Sequence, residues 1–183
     1  MGKTLSIIGF THDHFFLSNF YPCEVEFEGA IYPATENAFQ AAKSPAGLRA
    51  RFRGCTARAA KQLGRAPMPQ ESLKEWDAGR KVWVMLEVNM AKFLVHKYLR
   101  DRLLGTGNAR LVEANDHGDA YWGVCDGEGL NMLGRILMEI RTYIRASWRG
   151  TPPVRAELAD IVDRLLYVAA GLPSWPAISW TFP

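Results

Sequence analysis

The chain has 183 residues, of which 48% are hydrophobic, 22% charged and 11% aromatic, and it carries a formal net charge of +3. That length and balance describe one compact domain and exclude wholesale disorder; no apolar run reaches the roughly 18–20 residues of a membrane-spanning helix. The apolar part of the first residues is too short for a secretory signal, and so small a positive excess suits an anionic small molecule without implying a long polyanion.

In chain order, Leu5–Ile8 reads as a short strand. Cys23–Phe27 alternates apolar and acidic residues, the period of a half-buried strand, and Glu28-Gly29 turns it into a return strand at Ala30–Tyr32 that Pro33 stops. Thr35 is the expected N-cap of a helix over residues 36–43, ended by Pro45. On it Glu36, Gln40 and Lys43 fall at i, i+4 and i+7 as one polar stripe, with Ala38, Phe39 and Ala42 facing inward. Thr56 caps a short helix to Leu63, with Gly64 as its left-handed C-terminal residue. Residues 71–104 are mostly helical with breaks at Gly79 and around 95–97, and 82–95, apolar on nearly all sides, is the expected buried central helix. Leu111–Ala114 is another short strand, and Asn115–Gly129 a loop rich in Asp and Gly. Asn131 then caps a regular amphipathic helix that turns Leu133, Ile136, Leu137, Ile140, Tyr143 and Ile144 to one side. After the break at 150–153, a last helix over 154–170 points Leu158, Ile161, Leu165 and Val168 inward. The tail holds Trp175 and Trp180, expected to tie it to the body. The fold class is α+β, predominantly helical, with a small antiparallel hairpin or sheet.

Familiar catalytic signatures are missing: no G-x-G-x-x-G, Walker A loop, H-E-x-x-H or G-x-S-x-G occurs. The three cysteines, Cys23, Cys55 and Cys125, form neither an even set nor a C-x-x-C pair, which favours reduced thiols in a cytoplasmic setting over a disulfide framework or a zinc site. Cys125 has Asp126 and Glu128 beside it, which disfavour a thiolate nucleophile. His12 and His14 flank Asp13, but with no helix expected there they read as exposed loop residues, so no metal is expected. Arg49, Arg51, Arg53 and Arg58 read as a solvated face before a phosphate cradle.

Four places in the chain have a functional reading beside a structural one. Asn19, among the rings of residues 15–20, either braces the hairpin or orients a ligand's hydroxyls. Glu36, in the first turn of its helix, either complements the helix dipole or is a carboxylate held ionised there for catalysis. The segment Asp119-Ala120-Tyr121-Trp122-Gly123 pairs an acid with a ring suited to a sugar or a base, or simply closes the core with Trp122. Trp76 shares that choice.

Taken together, Phe16–Pro22, Tyr32–Lys43, Ala59–Arg65, Glu75–Asp77, Leu111–Glu113, Asp119–Gly123 and Leu130–Arg141 occur in an order that resembles the NADAR family, the YbiA-like N-glycosidases. The likeness covers about residues 10–146. It implies a glycosidase domain at 1–148 followed by a C-terminal helix and aromatic tail at 149–183. It also implies hydrolysis of an N-glycosidic bond between ribose phosphate or ADP-ribose and a base-like amine, without a cofactor. Two substrate classes go with the family: ribosylamino-pyrimidine phosphates of the early riboflavin pathway, and ADP-ribose on guanine, free or in DNA or RNA. The family's essential glutamate falls on Glu36, its acidic loop residue on Asp119 and its pocket aromatics on Trp76 and Trp122. Asn19, Lys43, Arg65, Glu113 and Asn131 match further binding positions.

In such a reaction positive charge develops on the sugar. Glu36 would stabilise it and deprotonate water, while Asp119 would either neutralise the departing base or bind ribose hydroxyls. Lys43 and Arg65 would hold phosphate, and Lys43, two turns from Glu36, would leave room for a ribose between them. The alternative is a module that binds ADP-ribose or a nucleotide without cleaving it.

Overall fold

A computed structural model describes residues 5–151 and 153–171. The expected docking of Trp175 and Trp180 lies outside the described residues.

Strand β1 (Ser6–Ile8) leads into a 3-10 helix at His12–Leu17, so His12 and His14 sit on helical turns where none was expected. The hairpin follows as β2 (Pro22–Phe27) and β3 (Ala30–Ala34). Glu28 and Gly29 both take positive φ, 48° and 74°, the backbone of a tight two-residue hairpin turn. Pro33 does not stop β3. Among the described residues the hairpin pairs with no third strand, so the missing amide of an exposed proline leaves no ladder broken.

Helix α1 (Thr35–Ala42) grows directly out of β3. Its N-cap is Ala34, not Thr35; Thr35 lies inside the helix and its hydroxyl is buried without a hydrogen-bond partner. A 3-10 segment at Ala46–Phe52 carries part of the arginine cluster, and Asn37 ties it to α1 by donating to the carbonyls of Phe52 and Cys55, both at 2.8 Å. Helix α2 (Ala57–Leu63) has the expected cap, the Thr56 hydroxyl accepting from Ala59 N at 3.2 Å. Gly64, however, is not left-handed, with φ −73°.

Helix α3 (Gln70–Glu75) runs through a π-helical turn at Trp76–Arg80 into α4 (Lys81–Val95), and His96 separates α4 from α5 (Lys97–Gly105). Gly79 takes φ 132° inside the π turn, the break expected there. Helix α4 is central: it packs on β2, α1, α5 and α6 (Met132–Ser147). Val82, Leu86, Val88 and Phe93 are fully buried along it. So is Lys92, whose ammonium donates to Ser18 O at 2.8 Å and lies over the Tyr21 and Phe93 rings.

The expected strand near 111–114 is two pieces, β4 (Arg110–Val112) and β5 (Ala114–Asn115), and the loop after it contains β6 (Val124–Cys125). Strand β4 pairs parallel with β1, and β5 parallel with β6, so among the described residues the small sheets are one antiparallel hairpin and two parallel ladders. Helix α6 lies close on β4, because a Cβ on Gly134 would stand 2.2 Å from Leu111 O. The last helix, α7 (Arg155–Ala169), buries Leu158, Ile161 and Leu165 as expected, with Val162 fully buried in place of Val168. It packs on α4 and α6 within the same core.

Candidate active site

The site is built on the first turns of α1. Glu36 is only 6% exposed. Its amide donates to Asn19 O at 2.9 Å, so the aromatic segment before the hairpin sets where this helix begins. Gln40, one turn on, donates through Nε2 to Glu36 Oε1 at 2.8 Å, and Lys43 donates through Nζ to Gln40 Oε1 at 3.1 Å and to Gly64 O at 2.6 Å. The polar stripe of the helix is therefore a buried hydrogen-bonded row. The room anticipated between Glu36 and Lys43 is filled by the Gln40 carboxamide. Gly64 makes that possible: a Cβ there would lie 1.9 Å from Gln40 Oε1.

Burial also changes the electrostatics expected of a helix N-terminus. Desolvation pushes the Glu36 carboxyl above its ordinary value, and the Asp119 charge adds to the rise; the Gln40 hydrogen bond, Lys61 and Lys43 act against it. Burial likewise lowers Lys43, which the Glu36 carboxylate partly restores. A carboxylate raised in this way is a stronger base than a free one.

A second acidic group faces the first. Asp119 Oδ1 accepts from the amides of Trp122 at 2.9 Å and Tyr121 at 3.2 Å, while Asn115 holds the Asp119 backbone through both its amide and its carbonyl. Its charge acts on Glu36 and on Glu113, and Lys61 acts on both glutamates with the opposite sign. Glu113 connects β4 to β5. Its amide donates to Asn131 Oδ1 at 2.9 Å, its carbonyl accepts from Val124 N at 2.8 Å, and its half-buried carboxyl has one oxygen, Oε2, with no hydrogen-bond partner. Burial, with Asp119 beside it, raises that carboxyl to about 7 against the pull of Lys61.

Trp76 and Trp122 are joined through Phe39, a residue expected only in the core. Phe39 meets the Trp76 ring at 5.2 Å and the edge of Trp122 at 5.4 Å, and Tyr121 packs on Trp122 at 4.9 Å. Trp76 is nearly buried, whereas Trp122 keeps part of its surface open.

Other anticipated residues have different positions. The Asn19 side chain turns away to α4, donating to Met85 Sδ and accepting from Asn89 Nδ2, each at 3.2 Å, so only its backbone touches the site. Asn131, in a left-handed conformation, caps no helix amide with its side chain; it accepts from Glu113 N and donates to Leu111 O, fixing the strand that carries Glu113. Arg65 is exposed, directly after the Gly64 carbonyl that receives Lys43. Two residues of the site carry little signal in the sequence: Gln40 shows only as a member of a polar stripe, and Lys61 only as one lysine of a helix.

A cavity of about 340 Å³ opens beside Lys43, with Arg49, Arg80 and Glu75 on its wall. Arg49 is thus no freely solvated side chain; it and Arg80 both pair with Glu28. A larger cavity of about 590 Å³ lies between β1, the 3-10 helix and α5, and holds none of the anticipated site residues.

The chain is similar to several known proteins. The model of the NADAR domain matches residues 9–145. A riboflavin biosynthesis protein of Vibrio vulnificus is 36% identical over 140 residues, 73% of this chain and 36% of that one. The chloroplastic riboflavin biosynthesis protein PYRR of Zea mays is 39% identical over 93 residues, 50% of this chain and 14% of that one. The chain therefore spans well under half the length of these two relatives. N-glycosidase YbiA of Escherichia coli is 35% identical over 132 residues, 69% of this chain and 79% of that one. The solution structure of the E. coli protein YbiA superposes with a TM-score of 0.65 at 32% identity, covering 79% of this chain and 87% of that one.

Proposed function

The chain belongs to the NADAR family, and from that premise we propose that it is an N-glycosidase. It hydrolyses the bond joining the ribose of a ribose phosphate or of ADP-ribose to a base-like amine. The observation that carries the reading is the row Glu36–Gln40–Lys43: a buried carboxylate oriented by an amide, with a cation beyond it.

Glu36 stands against the anomeric carbon. Its negative charge stabilises the oxocarbenium-like state, and its raised basicity suits it to take the proton of the attacking water. The Gln40 carboxamide leaves one carboxylate oxygen engaged and the group fixed in direction, which supplies the preorganisation that such stabilisation needs. Trp122 offers its open surface to the planar leaving group, with Phe39 and Trp76 behind it. Asp119, whose Oδ1 already serves two amides, anchors the Trp122 loop and faces the ribose hydroxyls. Lys43 and the cavity it borders, with Arg49 and Arg80, receive the phosphate end, and Arg65 stands outside as a further cation.

Relatives named for riboflavin biosynthesis support ribosylamino-pyrimidine phosphates as substrates. The cavity of about 340 Å³ beside Lys43, with Arg49 and Arg80 on its wall, supports a longer, diphosphate-linked ligand such as ADP-ribose on guanine, free or in nucleic acid, equally well. The test is to incubate the protein with a ribosylamino-pyrimidine phosphate and, separately, with ADP-ribosylated guanosine, and to measure released base. Release from one of them, lost by about 100-fold or more in Glu36→Gln while ligand binding persists, supports the assignment. Full turnover by a folded Glu36→Gln protein overturns it, and binding of ADP-ribose with no release of base from either compound supports the non-catalytic module instead.

A further inference from the structure

Breaking a ribosyl C–N bond leaves a nitrogen that must gain a proton, and Glu36, acting as base toward water, cannot also supply it. Among the described acidic residues whose charges act on one another here, one is built to hold a proton. Asp119 is poorly suited: two backbone amides donate to its Oδ1, which favours the charged form over the acid. Glu36 accepts from Gln40 Nε2, and a charged form is favoured where a donor faces it. Glu113 differs from both. Its backbone is pinned on each side, by Asn131 Oδ1 at the amide and by Val124 N at the carbonyl, yet its Oε2 is buried and meets no donor at all.

We propose, on the glycosidase reading above, that Glu113 is the residue that protonates the departing nitrogen, with Oε2 as the oxygen that carries the proton. A buried oxygen without a donor leaves the charged carboxylate poorly stabilised, so the group holds its proton; the Asp119 charge opposes ionisation and Lys61 favours it. The raised value of about 7 puts loss of that proton in the neutral range, where an acid is both protonated and able to give its proton up. The step balances. The C1′–N bond breaks with its electron pair going to nitrogen, and the Glu113 proton completes an N–H there. Water adds its oxygen to C1′ and loses one proton to Glu36; that proton returns to Glu113 through solvent, and the sum is one water consumed. Two glutamates, one facing a donor and one facing none, thus divide the roles of base and acid.

The supporting sequence detail is Gly123. A Cβ there would lie 2.3 Å from Glu113 O and 3.3 Å from its Cγ, so the loop can close over Glu113 only with a glycine at that position.

The experiment compares two leaving groups on the same ribose phosphate: the amine of a ribosylamino-pyrimidine phosphate, which must be protonated, and 4-nitrophenolate, which departs without a proton. Glu113→Gln is expected to lower kcat on the amine substrate by about 100-fold or more and on the nitrophenyl riboside by less than about 5-fold. Equal losses on both would make Glu113 a positioning residue, and no loss on the amine would remove it from the chemistry; either overturns the proposal. A measurement that needs no variant is the pH profile of the unaltered protein. Because the protonated form is required, kcat for the amine should fall as pH rises through about 7, and kcat for the nitrophenyl riboside should not. A shared alkaline limb overturns the proposal. Failure of the unaltered protein to release a base from either the ribosylamino-pyrimidine phosphate or ADP-ribosylated guanosine overturns the glycosidase reading itself. Where only the latter is cleaved it serves as the amine substrate, which keeps the two failures apart.

Discussion

Two ionisable residues show how burial, more than neighbouring charge, sets chemistry in this protein. At Glu36 desolvation outweighs the Gln40 hydrogen bond and two lysines and leaves a stronger base. At Lys92, far from that role, it outweighs everything. The ammonium is wholly enclosed, and burial lowers it to about 8, with Cys23 acting weakly in the other direction. An unfolded lysine titrates near 10.4, so between about 8 and 10.4 the unfolded chain holds a proton that the folded one has lost. The stability associated with neutral Lys92 is therefore complete above about 10.4 and lost as pH falls through about 8. Urea unfolding should show a rise of up to ~3 kcal/mol across that window, at ~1.4 kcal/mol for each pH unit it spans. Lys92→Met should remove the rise and unfold later at pH 7, since Ser18 O would still accept from Tyr21 N. A Lys92→Met protein with the same pH dependence would mean that the window belongs to other groups.

At the level of elements, close backbone approach explains several features that periodicity did not. Helix α6 was legible from its apolar face: Leu133, Ile136, Leu137, Ile140 and Ile144 are buried, and Tyr143 of the same expected face is half-buried. Its position on β4 was not legible, because that rests on Gly134 at the carbonyl of Leu111 and on Asn131 bonding to the same carbonyl. A Gly134→Ala substitution would put a methyl group 2.2 Å from that backbone oxygen and push the helix from the strand. The expected cost is about 1–3 kcal/mol, read as a lower urea midpoint at unchanged slope. An unchanged midpoint would mean that α6 shifts freely. Gly64 is the same case on a smaller scale: its place after α2 suggested a left-handed C-cap, and the real reason for glycine is the Gln40 carboxamide against it.

For the whole molecule, the C-terminal segment beyond the family match is joined to the rest by more than chain connection. Helix α7 buries Leu158, Ile161, Val162 and Leu165 against α4 and α6. Arg164 pairs with Glu139 at 2.7 Å, and the Arg155 guanidinium lies 4.7 Å from the Trp83 ring. Gly79, in the π turn next to Trp76, has Leu166 of α7 directly over it. A chain ending at residue 149 should therefore melt well below the full chain and show higher dye-accessible apolar surface, as four buried aliphatic side chains at roughly 1.5–3 kcal/mol each are lost. A truncated protein that melts with the full chain would show that α7 is an appendage.

Elements whose signals are local could be read from the order of residues. The hairpin, the cap of α2, the apolar face of α6, the breaks at Gly79 and at 95–97 and the all-round apolar α4 follow from alternation, capping and 3.6-residue periodicity over a few neighbours. Motif order also marked Glu36, and Trp76 and Trp122, whose rings both meet Phe39. What those residues can do was settled by packing. That Gln40 separates Lys43 from Glu36, that Asn19 and Asn131 serve the frame with their side chains, and that Glu113 holds an unpartnered oxygen beside Asp119 and Lys61 all depend on the folded arrangement, most of it between segments distant in the chain. Desolvation is a property of everything packed around a group, and no spacing along the chain encodes it.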